Sequence, residues 1–116
     1  MTDISDKEIK GEILYVDNFG NCQTNISPEE LKEKNFQIGD SLSLTVENQE
    51  LTSKWCNNYE NNAGGVGIVT DSWGMISIFL SNGDASKLLN CKDGSKVTIK
   101  AESLTKRLNL KWKLLM

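Results

Sequence analysis

Three stretches of this chain carry more polar chemistry than turns or strand edges require. The first, "VDNFGNCQTNI" at residues 16–26, places an aspartate, a ring, a glycine and several amides in a segment that otherwise reads as a strand. Gly20, between Phe19 and Asn21, lets the backbone bend and approach a bound group closely. Phe19 offers a ring face, and Asn21 an amide that both donates and accepts. The combination suits a flat heterocycle, stacked on its face and hydrogen-bonded at its edge. The plainer alternative is a bulged turn with Phe19 in the core and the asparagines holding local backbone. In the second stretch, "DSWG" at 71–74, the hydroxyl of Ser72 and the backbone amides around Trp73 could hold a carboxylate or an amine. A tight turn around a packed tryptophan would read the same way. The third, "NGDASKLL" at 82–89, opens a helix behind a glycine, with Asp84 as its N-cap. Unpaired N–H groups at such a start can meet ring nitrogens or an anion, although an ordinary cap needs no ligand.

The totals exclude several other chemistries. A chain of 116 residues with 38% hydrophobic and 25% charged residues suits one soluble globular domain and is too short for two. A net charge of −3 argues against general affinity for nucleic acid or anionic membrane. The lone Arg107 argues against phosphate recognition by arginine forks. With no histidine, the usual general base, metal ligand and nucleophile partner are all missing. Cys22, Cys56 and Cys91 form no CxxC pair, so no metal site is expected; they read as reduced, mostly buried thiols. Gly64, Gly65 and Gly67 lack the spacing of a dinucleotide fingerprint. No apolar run spans a membrane and the N-terminus lacks a signal-peptide pattern, so the expected location is the cytoplasm.

The elements that must position these residues follow from periodicity. Residues 1–10 read as a flexible N-terminus and 11–116 as one domain. "GEILYVD" reads as a strand with Ile13, Tyr15 and Asp17 on one face and Leu14 and Val16 on the other. Ser27, Pro28 and Glu30 spell a capping box that starts a short helix ending before Gly39. "SLSLTVENQELTSKW" puts Leu42, Leu44 and Val46 on one side of a half-buried strand, turns at "ENQE" and returns. "CNNYENNAGG" is a polar loop, "VGIVTD" and "MISIFL" are strands, and "KDGSKVTIK" is a turn and a strand. The tail "LNLKWKLLM" reads as a last strand with lysines guarding an edge. With about seven strands, two short helices and no βαβ rhythm, the predicted class is mainly β, a compact antiparallel barrel or two packed sheets.

Taken in order, "GEILYVDNFGNCQTNI", the lone aromatic of "NYENNAGG", "DSWGMISIFLSNGDASKLL" and "DGSKVTI" resemble the C-terminal domain of the S-adenosyl-L-methionine hydroxide adenosyltransferases, relatives of the fluorinases and chlorinases. The resemblance covers about residues 11–99, and "DNFGNCQTNI" is its most specific block. It implies a two-domain family in which S-adenosylmethionine binds between this domain and the N-terminal domain of a neighbouring protomer, in assemblies built on trimers. Water or halide attacks the ribose C5′ and displaces methionine. By resemblance, Asp17 would meet the methionine ammonium, Phe19 and Tyr59 would line the adenine pocket, and Asn21 would hydrogen-bond the base. Ser72 and the Trp73 backbone would hold the methionine end, and the Asp84 and Ala85 backbone would read the adenine edge. The water-activating aspartate, arginine and histidine of the hydrolase branch belong to the N-terminal domain, which this sequence does not contain. No catalytic residue is therefore assigned here, and turnover by the chain alone is not expected. The expected role is a module that binds adenosine or S-adenosylmethionine as ligand or substrate, without a separate cofactor, in a homo-oligomer or with an N-terminal-domain partner protein. The alternative is a non-catalytic structural or interaction domain that kept the fold and lost the ligand.

Overall fold

The computed structural model describes residues 8–58, 65–81 and 83–101. Seven strands among them close into a barrel: β1 (Glu8–Val16), β2 (Cys22–Thr24), β3 (Ser41–Val46), β4 (Gln49–Trp55), β5 (Val66–Thr70), β6 (Ile76–Leu80) and β7 (Lys96–Ala101). Their order around the wall is β1-β2-β6-β5-β4-β3-β7, and β7 returns to β1. Closure leaves no free sheet edge among the described residues. The helices α1 (Pro28–Glu33) and α2 (Ala85–Leu89) fill the connections β2–β3 and β6–β7.

The mainly β class is the one read from the sequence, but three details differ. First, the ladders are antiparallel except β4–β5, where Lys54 faces Gly67 and Trp55 faces Ile68 in parallel. Parallel neighbours cannot be joined by the tight hairpin that links antiparallel strands, so β4 and β5 do not form the simple hairpin pair that a meander would give. Secondly, β1 begins at Glu8, three residues before the predicted strand, because Glu8, Ile9 and Lys10 pair with Lys100, Ile99 and Thr98 of β7. Thirdly, β2 is a strand that periodicity did not single out, whereas the predicted last strand, like residues 1–7, lies outside the described residues.

A bulge breaks the predicted alternation of β1. Ile13 faces Thr24 and Tyr15 faces Gln23, so Leu14 is the extra residue. Ile13 therefore points inward, buried, while Tyr15 and Asp17 share the outer face; Val16 packs partly against the core. Without the bulge, Ile13 and Tyr15 would lie on the same side of the sheet.

The helices start where their caps dictate. Ser27 accepts the Glu30 N–H and the Glu30 carboxylate accepts the Ser27 N–H, so the capping box is complete. Asp84 caps α2 through the Lys87 N–H. α1 buries Leu31 in the core; α2 inserts Ala85 and Leu89, four residues apart and on one helical face. The interior is packed with Leu42, Leu44 and Val46 from β3, Ile68 from β5, Ile76 and Ile78 from β6, and Val97 and Ile99 from β7. Among the described residues, no helix is long and apolar enough to cross a membrane.

Candidate functional site

The β1–β2 and β5–β6 connections are built alike. In the first, the Asp17 N–H donates to the Asn21 carbonyl at 3.0 Å and the Gly20 N–H to the Asp17 carbonyl at 3.0 Å. Asp17 Oδ1 accepts from the Phe19 and Asn21 N–H groups, each at 2.9 Å. In the second, the Asp71 N–H donates to the Met75 carbonyl at 2.8 Å and the Gly74 N–H to the Asp71 carbonyl at 3.0 Å. Asp71 Oδ1 accepts from the Trp73 N–H at 2.9 Å and the Met75 N–H at 3.1 Å. Each loop passes through a glycine in the left-handed region, Gly20 at φ 84° and Gly74 at φ 81°. Aspartate opens both because its short carboxylate can take the two loop N–H groups on itself. The position before each glycine then points outward: Phe19 is 78% exposed and Trp73 82%. Neither ring packs in the core, so the plainer readings of both motifs fail at that point.

The twin loops flank one cleft, because β2 and β6 are neighbours and Gln23 faces Ser77 across them. The cleft is lined by Tyr15, Asp17, Asn21, Gln23, Asp71, Ser72, Trp73 and Ser77, with a volume of about 130 Å³. Of the residues singled out from sequence, Asp17, Asn21, Ser72 and Trp73 come together here; Phe19 does not line the cleft but stands exposed on the adjoining Asp17 loop. The Asp17 carboxylate keeps Oδ2 free of hydrogen bonds among the described residues, and the side chains of Asn21 and Ser72 make none there either. Tyr59 lies outside the described residues.

Asp84 and Ala85 stand at the start of α2, against the Asp17 loop. Neither lines the cleft, and Ala85 is buried. They back it instead: the Ser86 N–H donates to the Gly20 carbonyl at 2.9 Å. A Cβ on Gly20 would sit 2.0 Å from Asp84 Oδ1, so only glycine permits this approach. The hydroxyl of Ser86 donates to Asp84 at 2.6 Å; that bond, with the Lys87 N–H, holds the Asp84 carboxyl below its usual range.

Tyr15, Gln23, Asp71 and Ser77 were not assigned from sequence. Asp71 is the keystone of the cleft wall. Its Oδ2 accepts from the Ser77 hydroxyl at 2.7 Å and from Gln23 Nε2 at 2.9 Å, besides the two N–H groups on Oδ1. Burial alone would raise its pKa; the bonds from Ser77, the Met75 N–H, Gln23 and the Trp73 N–H outweigh it, and the group titrates below the ordinary carboxylate range. A signal for Asp71 was present: aspartate, any residue, aromatic, glycine occurs twice, at 17–20 and 71–74.

Thr24 and Asn25 of "VDNFGNCQTNI" are architectural. Thr24, fully buried, donates to the Ile76 carbonyl at 2.7 Å and accepts the Ile26 N–H at 3.1 Å. Asn25 Oδ1 accepts the Glu12 N–H at 2.9 Å beside the bulge. Asp17, Asn21 and Gln23 thus face the cleft, whereas Thr24 and Asn25 tie β1, β2 and β6 together. A larger hollow of about 420 Å³ lies elsewhere, lined by Lys32, Asn35, Phe36, Gln37, Ile38 and Trp55. None of the motif residues lies there, so convergence of polar groups, not size, selects the smaller cleft. No group of three metal-ligating side chains exists among the described residues.

Residues 11–98 match the model of the SAM hydroxide adenosyltransferase C-terminal domain. The chain belongs to that family. A solved structure of an uncharacterized conserved protein from Thermotoga maritima is similar at 28% identity and a TM-score of 0.76, over 80% of this chain and 36% of that one. A conserved hypothetical protein from Thermus thermophilus, at 22% identity and a TM-score of 0.57 over 78% and 34%, shares the fold. The chain thus spans about a third of the length of these relatives. No curated protein matches it.

Proposed function

We propose that this domain binds adenosine or S-adenosylmethionine and supplies one wall of a site whose reactive wall is carried by an N-terminal-domain partner. The observation that carries this reading is the convergence of Asp17, Asn21, Ser72 and Trp73 on one open cleft, beside a loop that exposes the Phe19 ring. The free Oδ2 of Asp17 suits an ammonium, the Asn21 amide suits a purine edge, and the exposed Phe19 ring suits its face. Pockets for drug-sized ligands run from about 300 Å³ upward and bury most of the ligand. At about 130 Å³ the cleft can cover only part of a nucleoside, which favours completion by a second surface. The cytoplasmic location, the homo-oligomer and the conversion of S-adenosylmethionine and water to adenosine and methionine belong to the same reading.

Titration calorimetry of the chain with adenosine and with S-adenosylmethionine tests it. The expected result is saturable binding with Kd on the order of 1 mM, abolished by Phe19→Ala. Heats of dilution alone up to several millimolar would remove intrinsic ligand binding. A second reading, a protein-interaction domain without ligand, is favoured by the exposed Leu14, Tyr15, Phe19 and Trp73. It predicts self-association or partner capture that Phe19→Ala weakens while calorimetry stays flat.

A further inference from the structure

Cys22 and Cys91 are separated by 69 positions, yet their sulfurs lie 3.5 Å apart. Both are free thiols. Cys22 begins β2 and is fully buried, its Sγ donating to the Gly20 carbonyl at 3.7 Å. Cys91 follows α2 and is partly exposed. Backbone geometry holds it there: Asn90 turns through the left-handed region at φ 51°, and the Cys91 N–H donates to the Ser86 carbonyl at 3.1 Å. Since the Ser86 N–H binds Gly20, the two sulfurs sit directly behind the Asp17–Asn21 loop. Disulfide formation requires the sulfurs to close from 3.5 Å to about 2.05 Å, a further approach of roughly 1.5 Å.

We propose that Cys22 and Cys91 form a redox-convertible pair, oxidised by a small-molecule disulfide to an intramolecular bond that staples the end of α2 to the back of the cleft. The partly exposed Cys91 loses its proton to solvent and attacks one sulfur of the small disulfide. One thiolate leaves and takes up a proton, and a mixed disulfide remains on Cys91. Cys22, deprotonated in turn, attacks the Cys91 sulfur and expels the second thiolate, which is also protonated. Two thiols are oxidised to one disulfide and the small disulfide is reduced to two thiols. Burial raises the pKa of Cys22 and of Cys91, so the conversion is slow at neutral pH and accelerates in alkali. Cys56 lies in a separate small cluster with Val69 and Phe79 and serves as an internal control. The proposal is independent of which ligand the cleft takes.

The test is incubation of the native full chain with excess oxidised glutathione at about pH 8, then acid quenching, alkylation in denaturant and mass analysis. The expected product has lost about 2 Da, carries one alkyl group on Cys56, links the Cys22 and Cys91 peptides and reverts with dithiothreitol. Its melting temperature rises by roughly 5 °C or more and amide exchange at 85–91 slows. Cys22→Ser and, as a second variant, Cys91→Ser each eliminate the internally linked product. A glutathione adduct without internal linkage, a bond involving Cys56, or an oxidised form that melts lower than the reduced one would overturn the proposal.

Discussion

Replacement of Asp71 by asparagine isolates the charge that holds the cleft wall together. The wild-type carboxylate accepts two backbone N–H bonds on Oδ1 and two side-chain bonds on Oδ2. An amide of the same shape must turn its NH2 toward one of these pairs of donors, whichever way it flips. Bonds to a charged acceptor contribute about 1.5–3 kcal/mol each and neutral ones about 0.5–1.5 kcal/mol. Asp71→Asn therefore loses or reverses two bonds and weakens the other two. Because the site is partly open, freed donors reach water and Ser77 can rotate, so the cost falls at the low end, about 2–3 kcal/mol. Urea denaturation followed by tryptophan fluorescence should show a midpoint lower by about 1–2 M at an unchanged m-value. The pH dependence supplies the sign. Asp71 has a folded pKa below the unfolded value of about 3.9, so its stabilisation is complete above that value and drains away as pH falls through the folded pKa. The gap between wild type and Asp71→Asn should be full at about pH 7 and narrow below about pH 4. A variant within about 0.5 kcal/mol of wild type at neutral pH, or a gap that does not change with pH, would refute the reasoning.

Gly20→Ala and Gly74→Ala place the same strain on similar left-handed backbones, but only the first drives a Cβ into Asp84. Gly74→Ala should cost about 1–2 kcal/mol, and Gly20→Ala clearly more, in parallel urea titrations; equal costs would mean that α2 does not press on the Asp17 loop. Thr24→Val leaves the Ile26 N–H and the Ile76 carbonyl without their buried partner and should lower stability by about 2–3 kcal/mol by the same assay, despite preserving shape. Asn21→Ala removes a side chain that makes no hydrogen bond among the described residues, so stability should stay within about 0.5 kcal/mol while adenosine binding by calorimetry is lost. A large stability loss there would assign Asn21 to the fold rather than to the ligand.

The sequence alone determined the β class, the capping box at Ser27, the N-cap at Asp84 and the inward row Leu42, Leu44 and Val46. These depend on a period of two or on hydrogen bonds that close within a few residues, so neighbouring residue types suffice to read them. The motif residues Asp17, Asn21, Ser72 and Trp73 could be picked out in the same way, as types without an obvious structural use. Only the tertiary structure decided that they share a cleft, because that depends on β2 lying beside β6, a pairing of segments far apart in the chain. The same holds for the inversion of Tyr15 by the Leu14 bulge, for Asp71 as the acceptor of Gln23 and Ser77, and for the contact of Cys22 with Cys91. Each is a contact between distant segments, and its geometry exists only after the barrel closes and fixes strand order and register.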